Sequence, residues 1–316
     1  MRLALGLCLV MLAWCGLARG GQDARALLRP QVRVEADPPS WYSPALFRPM
    51  PRPKPGDWMA EHPEPPQSFE QYVPAARVRP RVGRHTLYLC PLGAMSPQEQ
   101  ARLDVLREYL EVCFALPARV MPPAGLDRVT TRDRRMFGRT VRQYLTTDIL
   151  DSVLQHLLPQ DAVCMMGVTM ADLYPEESWN YVFGQASLER RIGVYSLVRF
   201  YPAFWGEAET AESLLKALKR SLATLVHETG HMFGVQHCQR YECVMNGSNS
   251  LAESDLRPIH LCPECLKKLR WNIGFDVPAR YEALHKFYAA RGMAAEAEWA
   301  AKRLAECGQK PPAKAG

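Results

Sequence analysis

Apolar residues run almost unbroken through Thr86–Leu92 and again through residues 162–170, the pattern of strands covered on both faces. Between them, Ser96-Pro97-Gln98-Glu99 supplies a cap, a first-turn proline and an early acid, and Leu103, Leu106, Leu110 and Phe114 follow at helical spacing. A short strand is expected at residues 119–121, and residues 141–158 read as an amphipathic helix with Tyr144, Leu145, Ile149, Val153 and Leu157 inward. After residues 181–186, the stretch 192–200 alternates less cleanly and fits a sheet edge.

A further helical pattern begins near Thr210. Glu207, Glu209 and Glu212 favour its positive end, and Leu214, Leu215, Leu218, Leu222, Leu225 and Met232 form its apolar stripe. Beyond Pro278, residues 279–290 and 294–307 read as two amphipathic helices flanking Gly292, a hairpin that serves as a packing appendage or a peptide-binding pair. Strands alternating with helices predict an α/β chain of mixed α+β character, with a twisted mixed sheet backed by helices.

The ends differ in character. Residues 1–20 read as a secretory signal, with Arg2 ahead of an apolar run at 3–17 and small residues at Ala18 and Gly20. That run is shorter than the ~20 residues that cross a bilayer, so no stable membrane span is expected and the location is secreted or periplasmic. Residues 21–84 carry half of the 26 prolines, which breaks helices and sheet ladders and predicts an extended arm pinned by Trp58, Phe69 and Tyr72. A removable pro-segment is an alternative for this arm. The folded body is then expected at 85–275, the hairpin at 276–307 and a frayed tail at 308–316.

Composition narrows the class. With 316 residues and 47% hydrophobic content the chain can build a sizeable core. A net charge of +6 without a clustered basic face gives no nucleic-acid footprint. The densest basic run, Arg132, Arg134, Arg135, Arg139 and Arg142, is expected to be a solvated helix face.

The chemistry concentrates after residue 226. In His227-Glu228-Thr229-Gly230-His231-Met232-Phe233-Gly234-Val235-Gln236-His237 the first two histidines are four apart and leave one helix face together. Gly234 tolerates a left-handed backbone, ending the helix so that His237 can return to the same point. Three imidazoles leave a tetrahedral zinc ion one open position, as a catalytic site requires, and Glu228 stands ready to accept a proton from water. Cys238, Cys243, Cys262 and Cys265 have spacings suited to a closed four-cysteine zinc site, with two disulfides as the alternative for an exported chain. Met245, in a tight turn between the cysteine pairs, could put its thioether beneath the histidines.

These residues resemble a known family. The eleven-residue histidine pattern followed by a methionine turn is the signature of metzincin metallopeptidases, and the cysteines interleaved with Met245 are similar to the archaemetzincin branch. The likeness continues through Asn246-Gly247-Ser248-Asn249-Ser250 and Leu261-Cys262-Pro263, and weakly through Trp58-Met59-Ala60-Glu61-His62-Pro63-Glu64. It implies His227, His231 and His237 on a catalytic zinc, Glu228 as general acid/base, Met245 in the Met-turn and the four cysteines on a second zinc. The implied fold is a sheet-and-helix upper subdomain over a smaller helical one, with peptide or protein substrate lying along a sheet edge. An export signal departs from this branch, so its intracellular location does not transfer. Two other classes remain in view: a zinc-stabilised peptide-binding protein with little or no turnover, and a cysteine-zinc module recruiting protein or nucleic acid, for which Lys267, Lys268 and Arg270 are thin support. The sequence assigns no oligomeric state.

Overall fold

The computed structural model describes residues 34–309, so the expected signal at 1–20 and the end of the tail lie outside the described residues. Among the described residues eight strands are formed: β1 (Thr86–Leu92), β2 (Ala118–Val120), β3 (Thr131–Met136), β4 (Arg139–Leu145), β5 (Ala162–Thr169), β6 (Asp172–Tyr174), β7 (Gly184–Ala186) and β8 (Ile192–Ser196). They make a five-stranded sheet in the order β2-β1-β5-β8-β7 and a three-stranded sheet in the order β3-β4-β6. The larger sheet is parallel except for β7, which runs antiparallel to β8. Every residue of β1, β5 and β8 is buried, as continuous apolar runs require when both faces are covered.

One face packs on α2 (Pro97–Phe114) and α3 (Ala211–Met232), which come after α1 (Phe69–Ala75) in the chain. Both α2 and α3 open with a capping box, at Ser96 and Thr210, so the helix starts read from the sequence are where the backbone amides find their acceptors. The other face is covered by Ile149, Leu150 and Leu154. Beyond Gly234 the described residues hold helices and no strand: a short turn at Leu251–Asp255, then α4 (Pro263–Ile273), α5 (Val277–Ala289) and α6 (Ala294–Glu306).

Four expectations need correction. The segment 141–158 is not one helix: its first residues belong to β4, and the helix begins only at Thr146, with a wide turn over Ile149–Leu154. The arginine run lies on a hairpin instead of a helix face. Phe137 and Gly138 both take positive φ, as a two-residue hairpin turn demands, and Arg142 bonds Asp133 directly across the strands. The sheet edge is β7, and β8 sits one strand inward, because Gly184–Ala186 pairs with it from outside. Finally, the proline-rich arm is not wholly extended; it carries α1 and a shorter helix at Trp58–Glu61 between its proline stretches.

The C-terminal hairpin takes the packing reading. Tyr288 and Tyr109 share a hydroxyl hydrogen bond at 2.9 Å, and Arg280 donates to the Cys113 carbonyl at 2.6 Å, fastening α5 to α2. Arg303, fully buried, donates to the carbonyls of Trp41 and Ser43, so the arm closes over α6.

Candidate active site

Helix α3 is amphipathic, and its buried stripe holds the last two turns still against the sheet. It presents His227 and His231 together, then Gly234 at φ +85° turns the chain so that His237 faces them. The ligand atoms of the three histidines all lie within 4.8 Å of one another, and Nε2 of His227 and His231 are 3.0 Å apart.

The outward nitrogens explain which way these rings are protonated. Nδ1 of His227 contacts the Val244 carbonyl at 2.8 Å and Nδ1 of His231 the Val235 carbonyl at 2.7 Å, while Nδ1 of His237 meets the Glu64 carboxylate at 2.7 and 3.0 Å. Carbonyl and carboxylate oxygens only accept, so each Nδ1 carries a proton, and in a neutral ring Nε2 then keeps a bare lone pair. Burial lowers the His227 pKa to about 3 and takes His231 well below the ordinary range, so both rings are neutral near pH 7. Two lone pairs facing each other at 3.0 Å repel; a divalent cation between them turns that repulsion into ligation. The donor set fits zinc.

Glu228 lines the same cleft as the three histidines, a cavity of about 230 Å³. Burial raises its pKa to about 8, and among the described residues its carboxyl makes no hydrogen bond. Strand β7 lies close against it: a Cβ added at Gly184 would sit 2.8 Å from Glu228 Oε1, so only glycine lets the sheet edge approach this far.

Met245 is fully buried under α3, where a Cβ on Gly230 would fall 2.6 Å from its sulfur. The turn that carries it is stapled by Asn246, whose side chain accepts from the Cys243 amide and donates to the carbonyls of Cys238 and Tyr241. This staple ties the histidine site to the cysteines. Cys238, Cys243, Cys262 and Cys265 are all buried and unpaired by disulfides, with their sulfurs within 4.8 Å of one another. Backbone amides of Met245 and Cys262 point at the Cys243 sulfur, which is how thiolates are held. Hydrogen bonds from the neighbouring thiols hold Cys238 far below the usual thiol range, burial pushes Cys243 well above it, and hydrogen bonding to Cys238 pushes Cys265 up. A cation among the four sulfurs would let all of them ionise. This donor set also fits zinc.

The arm contributes what sequence reasoning missed. Glu64 takes hydrogen bonds from His237 and from the Trp58 indole, and the first of these, with His237 and the other histidines nearby, holds its carboxyl below the usual range. Gln67 donates to the Gly234 carbonyl and accepts from the Gln236 amide, and Tyr72 donates to the Phe233 carbonyl. The loop bearing His237 is therefore held by the arm. The one sequence signal was the faint likeness at residues 58–64.

Residues 103–271, more than half of the chain, match the sequence model of peptidase family M54. Archaemetzincin-2 of Rattus norvegicus is 35% identical over 269 residues, covering 77% of this chain and 75% of that protein. Archaemetzincin-1 of Homo sapiens is 31% identical over 263 residues, covering 74% of this chain and 52% of that protein. Among solved structures, archaemetzincin from Methanopyrus kandleri is 28% identical and covers 61% of this chain and 97% of that one, with a TM-score of 0.46. With two thirds or more of its length shared with archaemetzincin-2 at this identity, the chain belongs to peptidase family M54, the family of the archaemetzincins.

Proposed function

We propose that the protein is a zinc metallopeptidase that hydrolyses peptide bonds of peptide or protein substrates, with Glu228 as general acid/base. The observation that carries the reading is the convergence of three imidazoles, two of them held neutral by burial, beside a buried carboxyl in an open cleft. His227, His231 and His237 would hold a catalytic zinc ion, and Cys238, Cys243, Cys262 and Cys265 a structural one. Zinc held there would supply Lewis acidity for a peptide carbonyl and would lower the pKa of water toward ~7.

The chain's own groups do the rest. The Glu228 carboxylate takes the proton from the attacking water and later delivers it to the leaving amine. Strand β7 pairs on one side only, so its free edge offers backbone donors and acceptors to an extended peptide. Met245 and Asn246 keep the floor of the site rigid. The apolar run at residues 3–17 supports export to a secreted or periplasmic location.

Zinc analysis with a peptide-library digest tests the reading. Two zinc ions per chain together with cleavage are expected; two zinc ions without cleavage favour the peptide-binding alternative, and cleavage that survives complete zinc removal overturns the mechanism.

Glu64 gives a second check. Replacing it with Ala frees the His237 ring to rotate, and the zinc affinity measured by chelator competition should fall about 10- to 100-fold while the fold persists, because its side chain is 30% exposed. Unchanged affinity would remove Glu64 from the site.

A further inference from the structure

The cleft is lined by a cation that the mechanism does not use. Arg257 lines the cavity together with His227, Glu228, Ser254 and Pro258, yet its side chain is only 9% exposed. Among the described residues its guanidinium makes no hydrogen bond; Nε is wholly buried without a partner, and the ion pair to Glu253 Oε1 is long, at 3.5 Å. Glu253 has other work. Its carboxylate accepts from the Trp58 amide at 3.1 and 3.2 Å and from the Asn249 amide at 2.7 Å, so it balances the charge of Arg257 without satisfying its donors.

Nε has no exposed surface, so a ligand can meet only the terminal Nη groups, and for an unpaired guanidinium at a catalytic cleft the common chemical partner is a carboxylate, which can take two hydrogen bonds from them. Unpaired buried donors are costly, so a ligand that pairs them gains more than one that only fills space. A carbonyl offers a single acceptor and no charge. We propose that Arg257 forms a carboxylate-binding subsite beside the cleaved bond, so that peptides bearing an acidic group there are preferred. Glu253 and Glu228 oppose an incoming anion, which limits the preference. The carboxylate comes from an acidic side chain or from a free peptide C-terminus. The inference rests on the peptidase reading.

The test uses the zinc-loaded full chain and two sets of matched peptides, one exchanging Glu for Gln at each position around the cleaved bond, the other with free or amidated C-termini. The readout is the ratio of kcat/KM for acid over amide, which a merely structural arginine would not set. We expect a ratio of about tenfold at one position in the wild type, near one in Arg257→Met and intermediate in Arg257→Lys. A preference confined to internal Glu assigns a side-chain subsite, and one confined to free C-termini assigns a terminal one. A wild-type ratio near one at every position and at both termini overturns the proposal even if the variants fail to fold, as does a ratio unchanged in Arg257→Met. If no peptide is cut, the peptidase reading fails separately, and fluorescence-polarisation binding of the same pairs to the wild-type chain still decides: tighter binding of the acidic member supports the subsite, equal binding overturns it.

Discussion

Glu228→Gln should lower kcat/KM for peptide hydrolysis by roughly 10²- to 10⁴-fold, the span that a positioned acid/base contributes, while leaving zinc content unchanged. The substitution isolates one property. Gln has the same shape, which matters where the position a Gly184 Cβ would occupy is 2.8 Å from Oε1 and 2.9 Å from Cδ of this side chain. The carboxyl has no hydrogen bond among the described residues, so no network is broken by the exchange. Burial raises its pKa, so exchanging it for a neutral amide relieves the burial of a charge and should not unfold the chain. What Gln lacks is the capacity to accept a proton. Steady-state rates with zinc counted by mass spectrometry give the answer: a normal rate in the variant would remove Glu228 from the mechanism, and lost zinc would make it a structural residue.

The parts of the fold that were legible in the sequence share a physical reason. Strands β1 and β5 are buried on both faces, so their apolar runs have no interruption to misread, and α2 and α3 announce themselves through Ser96 and Thr210. Strands β3 and β4 failed for the opposite reason. Arginine occupies both faces, half-buried at Arg132 and Arg134 and exposed at Arg135, Arg139 and Arg142, leaving no apolar period, and the informative pair was the Phe137-Gly138 turn between them. Strand β7, three residues of Gly, Gln and Ala, has no apolar signature and is a strand only because β8 lies beside it.

The site divides the same way. Histidines and cysteines within 39 residues of one another are visible as spacing, and the structure brings all seven together into the two groups their spacing suggested. Glu64, 173 residues from the ring it holds, is not visible as spacing. Nor is Gly184, whose role is the absence of a side chain facing Glu228. Arg257 belongs to no spacing rule, and only the shape of the cleft gives it a meaning.

Cys262→Ser should do what Glu228→Gln does not: release a metal ion, lower the unfolding midpoint and abolish cleavage together. Cys262 is fully buried, and its sulfur lies 3.6 Å from that of Cys238. Removing one of four thiolates leaves an incomplete tetrahedral set around zinc, and serine in its place is a harder, less acidic ligand. Structural zinc contributes roughly 10 to 16 kcal/mol to small folded peptides, as large as the whole net stability of many domains, so a loss on the order of 5 kcal/mol is expected here. The damage should spread along a defined path. Cys238 follows His237 directly, its amide donates to the Met245 carbonyl at 2.8 Å, and Asn246 holds both ends of that loop. Loosening the sulfurs therefore releases the third histidine and the methionine beneath the other two. Thermal unfolding with and without chelator, alongside alkylation of the denatured chain without reductant, separates this account from its rival. If the cysteines form two disulfides, the wild type will show four fewer reactive thiols and chelator will leave the transition where it was; bound zinc predicts all four thiols free and a midpoint that falls as the metal is withdrawn.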